Sequence, residues 1–270
     1  MCIHATRLPV SARKNSGRTC TNRTVHHIER REHGHSRTSR WPAQPLVLCL
    51  CRVVIAAIIF AGFARTFYLN SYFAKSHLAP VLLVHGFVFT SWIVVLIVQT
   101  SLVAADRTDI HRRLGVFGGV LAALMIVVGV LAAIYSGRRG FTSPNGPPPL
   151  VFLVIPIFDL IVFSSVVAVG LYYRNQPDTH KRLMLLSTLG ILGPGVARLP
   201  IAWILQHGLL AIFGIQDLVL VACITYDTVV HRRLHRAFLW GGLWVILSLP
   251  LRMAVASTSA WASFAQWLIR

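Results

Sequence analysis

The sequence predicts an all-α, polytopic transmembrane helical bundle of about seven spans, with the N-terminus inside and the C-terminus outside. Three observations carry that expectation. The 270 residues are 55% hydrophobic and only 13% charged, with a mean hydropathy of +0.65, which is more apolar surface than a soluble domain can hide. Seven apolar segments are each long enough to cross ~30 Å of hydrocarbon at about 1.5 Å per residue. Finally, one short motif recurs where an apolar segment ends and the next begins: His111-Arg112-Arg113-Leu114, His180-Lys181-Arg182-Leu183 and His231-Arg232-Arg233-Leu234. Each copy reads as the basic rim of a helical hairpin.

Residues 1–45 stand apart. They hold nine of the 26 Lys and Arg, many His, Ser and Thr, only Glu29 and Glu32 as acids, and no helical period. They read as a basic, solvated tail or as upstream sequence translated from a miscalled start; a start near residue 46 would need a non-Met codon, since no Met falls between Met1 and Met125. A targeting presequence fits only in part. The net charge of +18 does not indicate nucleic acid as a partner, because outside the tail the cations punctuate the ends of apolar segments. The partner it indicates is the lipid bilayer.

The spans fall near 48–70, 80–104, 114–136, 150–173, 183–206, 208–230 and 237–256, making residues 46–256 the membrane domain. Pro147-Pro148-Pro149 ends the longest loop, and a helix cannot continue through it. The motif-bearing loops carry Arg107, Arg112, Arg113, Arg174, Lys181, Arg182, Arg232, Arg233 and Arg236, against Lys75, Arg138, Arg139 and Arg270 on the other side. That bias puts the motifs in the cytoplasm; the membrane expected is a bacterial-type inner membrane. Tyr68, Tyr72, Tyr172, Tyr173, Trp203 and Trp240 fall near the span ends, where amphipathic rings are favoured. In residues 257–270, Trp261, Phe264, Trp267 and Leu268 recur at helical spacing, as in an outer interfacial helix. Gly115, Gly119 and Ala123 form a small-residue stripe suited to close helix contact. The five cysteines have neither disulfide nor zinc spacing.

Polar groups inside the spans are the first candidates for function. Asp159 and Asp217 fall near mid-depth, Arg198 and Arg252 further outward, and Arg65 near the outer end. A charge at the bilayer centre costs at least ~2.5–3.5 kcal/mol, so these should turn inward and pair, with Arg198 as the partner expected for Asp159 or Asp217. Two acids against three arginines leave surplus positive charge for an anionic ligand group such as a carboxylate or propionate. Gly193-Pro194-Gly195, with Pro200 beyond, interrupts the fifth span and frees backbone groups that only a protein interior or cavity tolerates.

Histidines are the second set. Haem iron takes axial His ligands from facing helices. His85 alone lies well inside a span, with His77 and His207 as poorly placed companions. At the inner end His111, His180, His231 and His235 share one depth, and any two could converge on a cofactor. The competing explanation is helix capping by Asp109 and Asp178, with the basic triplets meeting headgroups.

His85-Gly86, His111-Arg112 with Leu114-Gly115, His180 with Arg182 and Met184, and then Arg198 resemble the pattern of an uncharacterised bacterial family of multi-pass membrane proteins, over roughly residues 60–205. That family is distantly similar to cytochrome b561-type haem proteins. The resemblance implies a helical bundle with His85, His111, His180 and Arg198 as shared positions. No second His sits opposite His85, so the sequence departs from a bis-His outer haem. The functional expectation is haem b binding with electron transfer: His111 and His180 on the iron, His85 as an outer ligand or proton site, and Arg198 at a propionate. Two rivals stand beside it, a small-solute transporter or channel built on the Arg/Asp cluster and a non-catalytic membrane assembly factor.

Overall fold

A computed structural model describes residues 43–73, 77–142 and 146–270, and every regular element among them is helical. Of the tail expected over residues 1–45, residues 1–42 lie outside this set, as does Lys75 of the first loop, while 43–45 begin the first helix. In chain order the helices are α1 (Ala43–Phe63), α2 (Asn70–Phe73), α3 (Pro80–Ala104), α4 (Thr108–Arg138), α5 (Pro149–Phe152), α6 (Val154–Tyr172), α7 (Pro177–Leu189), α8 (Gly193–Val196), α9 (Ala202–His231), α10 (Arg236–Ala256) and α11 (Ser259–Ile269). A wide turn of π-helix, Ala64–Tyr68, extends α1.

Six segments are long and apolar enough to cross a membrane: Leu50–Tyr68, Pro80–Ala104, Thr108–Arg138, Pro149–Tyr172, Ala202–His231 and Arg236–Ala256. Proline at the first position of α3 and α5 starts those segments where its missing N–H costs nothing. Asp106 and Arg232, both at φ 57°, make the left-handed turns that close α3 into α4 and end α9. Both turns lie at the end of the bundle that carries the three basic motifs.

The expected fifth span, 183–206, is not one helix. It arrives as α7, a turn at Gly190–Leu192, the four-residue α8 and an irregular stretch to Ile201. The break is local chemistry: Pro194 has no N–H to donate, and Pro200 again bars continuation. The expected boundary at His207-Gly208 is instead a kink inside α9, where Gly208 takes φ 56°, ψ −130°, open only to glycine. Despite the break, this segment runs the length of the bundle. Arg182 near its start bonds to Asp227 at the basic end, and Gly195 packs on Ile59 and Gly62 near the opposite end of α1.

The freed backbone groups find partners inside the protein. The Gly193 N–H donates to Gln216 Oε1 at 2.9 Å, from a side chain that is buried. Arg198 Nη1 donates to the Pro194 carbonyl at 2.8 Å. This is the condition under which non-helical backbone survives at membrane depth. A β-carbon at Gly62 would overlap the Gly195 carbonyl, a backbone atom that cannot swing aside. Gly62→Ala is therefore expected to lower unfolding stability by about 1–3 kcal/mol, the range for overpacking, read from thermal unfolding in detergent.

Three apolar clusters fill the bundle. One joins α1, α6, α7, α9 and α10 around Leu185, Leu186, Leu189 and Phe238. A second joins α1, α3, α4 and α6 around Trp92, Met125 and Phe163. The third, at the end away from the motifs, includes α11. There Trp261 turns inward, its indole N–H donating to the Leu150 carbonyl at 2.9 Å, while Phe264 and Trp267 stay exposed. Close approach along α4 is made by Gly129 against Leu160 and by Gly137 against Ile269, not by the expected Gly115, Gly119 and Ala123 stripe. Exposed Tyr68, Tyr72, Tyr172, Trp203 and Trp240 sit at helix ends.

Candidate functional site

The first turns of α4 and α7 bring two of the four inner histidines together. The rings of His111 and His180 lie 6.4 Å apart, centre to centre, with their planes at 80°. His180 is oriented by the end of α6. The last carbonyls of a helix lack partners within it. Here Tyr173 N–H takes the Val169 carbonyl, Arg174 N–H takes the Leu171 carbonyl, and His180 Nδ1–H donates to the Gly170 carbonyl at 2.7 Å. Gly170 lets α7 pack close to α6, since a β-carbon there would press within 3.1 Å of Met184 Sδ and 3.3 Å of Leu183 Cβ. With Nδ1 committed, Nε2 is the nitrogen His180 has left to offer. His111 Nδ1 is buried with no hydrogen-bond partner.

The glycines beside this pair are under little packing constraint. A β-carbon on Gly115, Gly118 or Gly119 would meet nothing nearer than 3.6 Å, ordinary van der Waals distance. The seam above His111 is thus looser than the contacts at Gly129 and Gly137. Asp109 and Asp178 are not N-caps as expected; Arg107 and Gln176 hold those positions, and the acids lie inside the first turn. There they meet cations: Arg107 Nε is 3.8 Å from Asp109, and Lys181 Nζ donates to Asp178.

The other two inner histidines sit elsewhere, around an ion pair the sequence did not reveal. Arg182, expected on the basic rim, is buried. Its Nε and Nη2 donate to Asp227 Oδ2 and Oδ1 at 2.9 and 3.0 Å, and its Nη1 donates to the Asp178 carbonyl at 2.7 Å. Asp227 is fully buried as well. One turn on, His231 Nδ1 donates to the Asp227 carbonyl at 2.8 Å, and His235 caps α10 by accepting from the Ala237 N–H. The only sequence signal was the i, i+4 spacing of Asp227 and His231.

In the other half of the bundle the expected partners are exchanged. Asp159 pairs with Arg252, not Arg198: Arg252 Nη1 donates to Asp159 Oδ1 at 2.9 Å while its Nε and Nη2 bond to Ser248. Arg252 also lies over the Phe213 ring at 4.4 Å. Arg198 stacks 4.6 Å over Phe63 and forms no ion pair among the described residues. Asp217 is half-buried and likewise unpaired with a cation there, and Arg65 is exposed with Phe73 beneath it. His85, on α3, stacks on Phe89 at 4.1 Å, with its Nδ1 buried and lacking a partner. His207 is exposed against Trp203. Arg198, just after α8, packs on Phe63 at the end of α1, while His111 and His180 stand in the first turns of α4 and α7.

Among the described residues no group of three or more His, Cys, Asp or Glu is placed to hold a metal ion. The chain matches no family model, no curated protein and no solved structure.

Proposed function

We propose that the protein binds one haem b between His111 and His180 and carries electrons in the membrane, with seven crossings, the basic motifs facing the cytoplasm and the site near that face of a bacterial inner membrane. The facing pair of imidazoles is the observation that supports this reading. Two rings bound to opposite faces of one metal, each through a bond of ~2 Å, have centres roughly 6 Å apart, against 6.4 Å here. Two ligands suit a group that brings its remaining donors with it; a bare ion would need more protein ligands than this site offers. The bond from His180 Nδ1–H to Gly170 fixes that ring's tautomer and angle, as partners behind metal-binding histidines do. The buried, unpartnered Nδ1 of His111 adds a second polar group in this seam without a partner of its own.

When bound, haem supplies one-electron redox chemistry. The chain's own residues hold it, shield it from water with the apolar faces of α4, α6 and α7, and set its potential through the His180–Gly170 bond. The rival, a transport pathway on Asp159, Arg198 and Asp217, has less support, because Arg198 and Asp159 sit in separate contacts.

An optical spectrum tests the reading. Protein purified in detergent from haem-supplied cells is expected to show a Soret band that shifts on dithionite reduction. His111→Ala and His180→Ala are each expected to remove most of it, while His85→Ala leaves it in place. A colourless preparation from such cells overturns the proposal.

A further inference from the structure

A cavity of about 170 Å³ opens at the basic end, lined by Asp178, Arg182, His231, Arg233 and His235. It lies on the far side of α7 from His180, since two residues turn a helix by ~200°, and is therefore separate from the site above. Arg182, on its wall, is already matched by Asp227.

The remaining groups sort by what they can give or take. His235 Nδ1 accepts from the Ala237 N–H at 3.1 Å, so the ring's proton is on Nε2, a donor. Burial holds His235 below its ordinary range, which keeps it in that neutral form. Arg233 adds an exposed guanidinium. His231 is the reverse case. Its Nδ1–H is spent on the Asp227 carbonyl, which in the neutral ring makes Nε2 an acceptor, and that atom is buried without a partner. Asp178 is a second acceptor; the hydrogen bond from Lys181 holds its carboxyl below the usual range, so it stays ionised.

Two donors and two acceptors around one small cavity do not suit a simple ion. A plain anion would satisfy Arg233 and His235 but face the Asp178 carboxylate and the lone pair of His231. A plain cation would meet the opposite misfit. A phosphate joined by a short linker to a primary ammonium satisfies both sets. The cavity also stands at the basic end of the bundle, and Leu234, between the lining residues Arg233 and His235, is exposed. Cavities of this kind between membrane helices hold lipid headgroups.

We propose that this cavity binds the phosphoethanolamine headgroup of a membrane lipid, with Arg233 and His235 on the phosphate and Asp178 and His231 on the ammonium.

The test uses the full chain in detergent, with native mass spectrometry and thermal unfolding after adding phosphatidylethanolamine, phosphatidylcholine or phosphatidylglycerol of identical acyl chains. Phosphatidylcholine keeps the charges but has no ammonium N–H, and phosphatidylglycerol has the phosphate alone. Phosphatidylethanolamine is expected to bind at least about tenfold more tightly than either, the worth of a hydrogen bond to a charged group. Asp178→Asn is expected to bring it close to phosphatidylcholine, and Arg233→Ala to weaken both. Soluble phosphoethanolamine and inorganic phosphate, run in parallel, separate a headgroup held with its lipid from a free one. Equal binding of the three lipids by the wild-type chain, a preference for phosphatidylglycerol, or soluble phosphoethanolamine binding as tightly as the lipid would each overturn the proposal. The lipid comparison needs no variant, so a variant that fails to fold leaves the test intact.

Discussion

Arg182→Met is expected to lower unfolding stability by about 3–5 kcal/mol, the cost of removing one member of a buried ion pair, with His231 Nδ1, 3.3 Å from Oδ1, as the neighbour left to Asp227. Both carboxylate oxygens of Asp227 are matched by Arg182, and Asp227 has no exposure to water that could replace those bonds. The loss should also loosen the start of α7, because Arg182 Nη1 holds the Asp178 carbonyl. Methionine keeps much of the side-chain volume, so the effect reports charge rather than a cavity. Arg182→Met combined with Asp227→Leu is expected to regain most of the loss, since a well-packed apolar pair often matches a buried ionic one. Chemical or thermal unfolding in one detergent measures all three proteins. A single-variant loss under about 1 kcal/mol would place the pair with weak surface salt bridges.

Arg252→Met should be similarly costly, about 3–5 kcal/mol on the same grounds. Here the surroundings are more apolar. Arg252 has no exposed surface and is flanked by Phe158 and Phe213, and Asp159 Oδ2 already lacks a partner. Removing the guanidinium strips Asp159 of its one charged neighbour among the described ion pairs and leaves Ser248 without its contact. Asp159→Asn on that background is expected to restore part of the stability, because a neutral amide costs far less to bury than a carboxylate. No recovery would show that the loss came from packing against Phe213.

What the sequence made legible follows from which signals are local. Helices α3 and α4 were readable because each is a long apolar run with sharp ends, Pro80 at one and the Ala105–Arg107 turn at another. The interruption of the fifth segment was readable in Gly193-Pro194-Gly195, but its consequence was not. Hydropathy averages across a break, so 183–206 looked continuous, and the boundary fell at His207-Gly208, where the chain only kinks.

The candidate sites divide in the same way. The four inner histidines were placed at one depth by counting. Which two would meet depended on α6 ending at Tyr172 with the Gly170 carbonyl left to accept from His180, and that is tertiary. Arg113, Arg182 and Arg233 occupy the same position in three copies of one motif, yet only Arg182 is buried, because Asp227 reaches it from 45 residues away. Arg198 and Arg252 had equal claim to Asp159 by depth. The packing of α10 on α6 and of α8 on α1 decided between them.

The shortness of α7 bears on how the chain enters a membrane during synthesis. Thirteen residues rise only about 20 Å, and the first turns carry Asp178, Lys181 and Arg182, so the insertion machinery has little reason to release this piece sideways into lipid by itself. Its stable packing is expected to follow the synthesis of α9, whose Asp227 neutralises Arg182. A chain truncated before residue 227 is expected to leave α7 loosely held and open to protease, the measurement that checks this order of assembly.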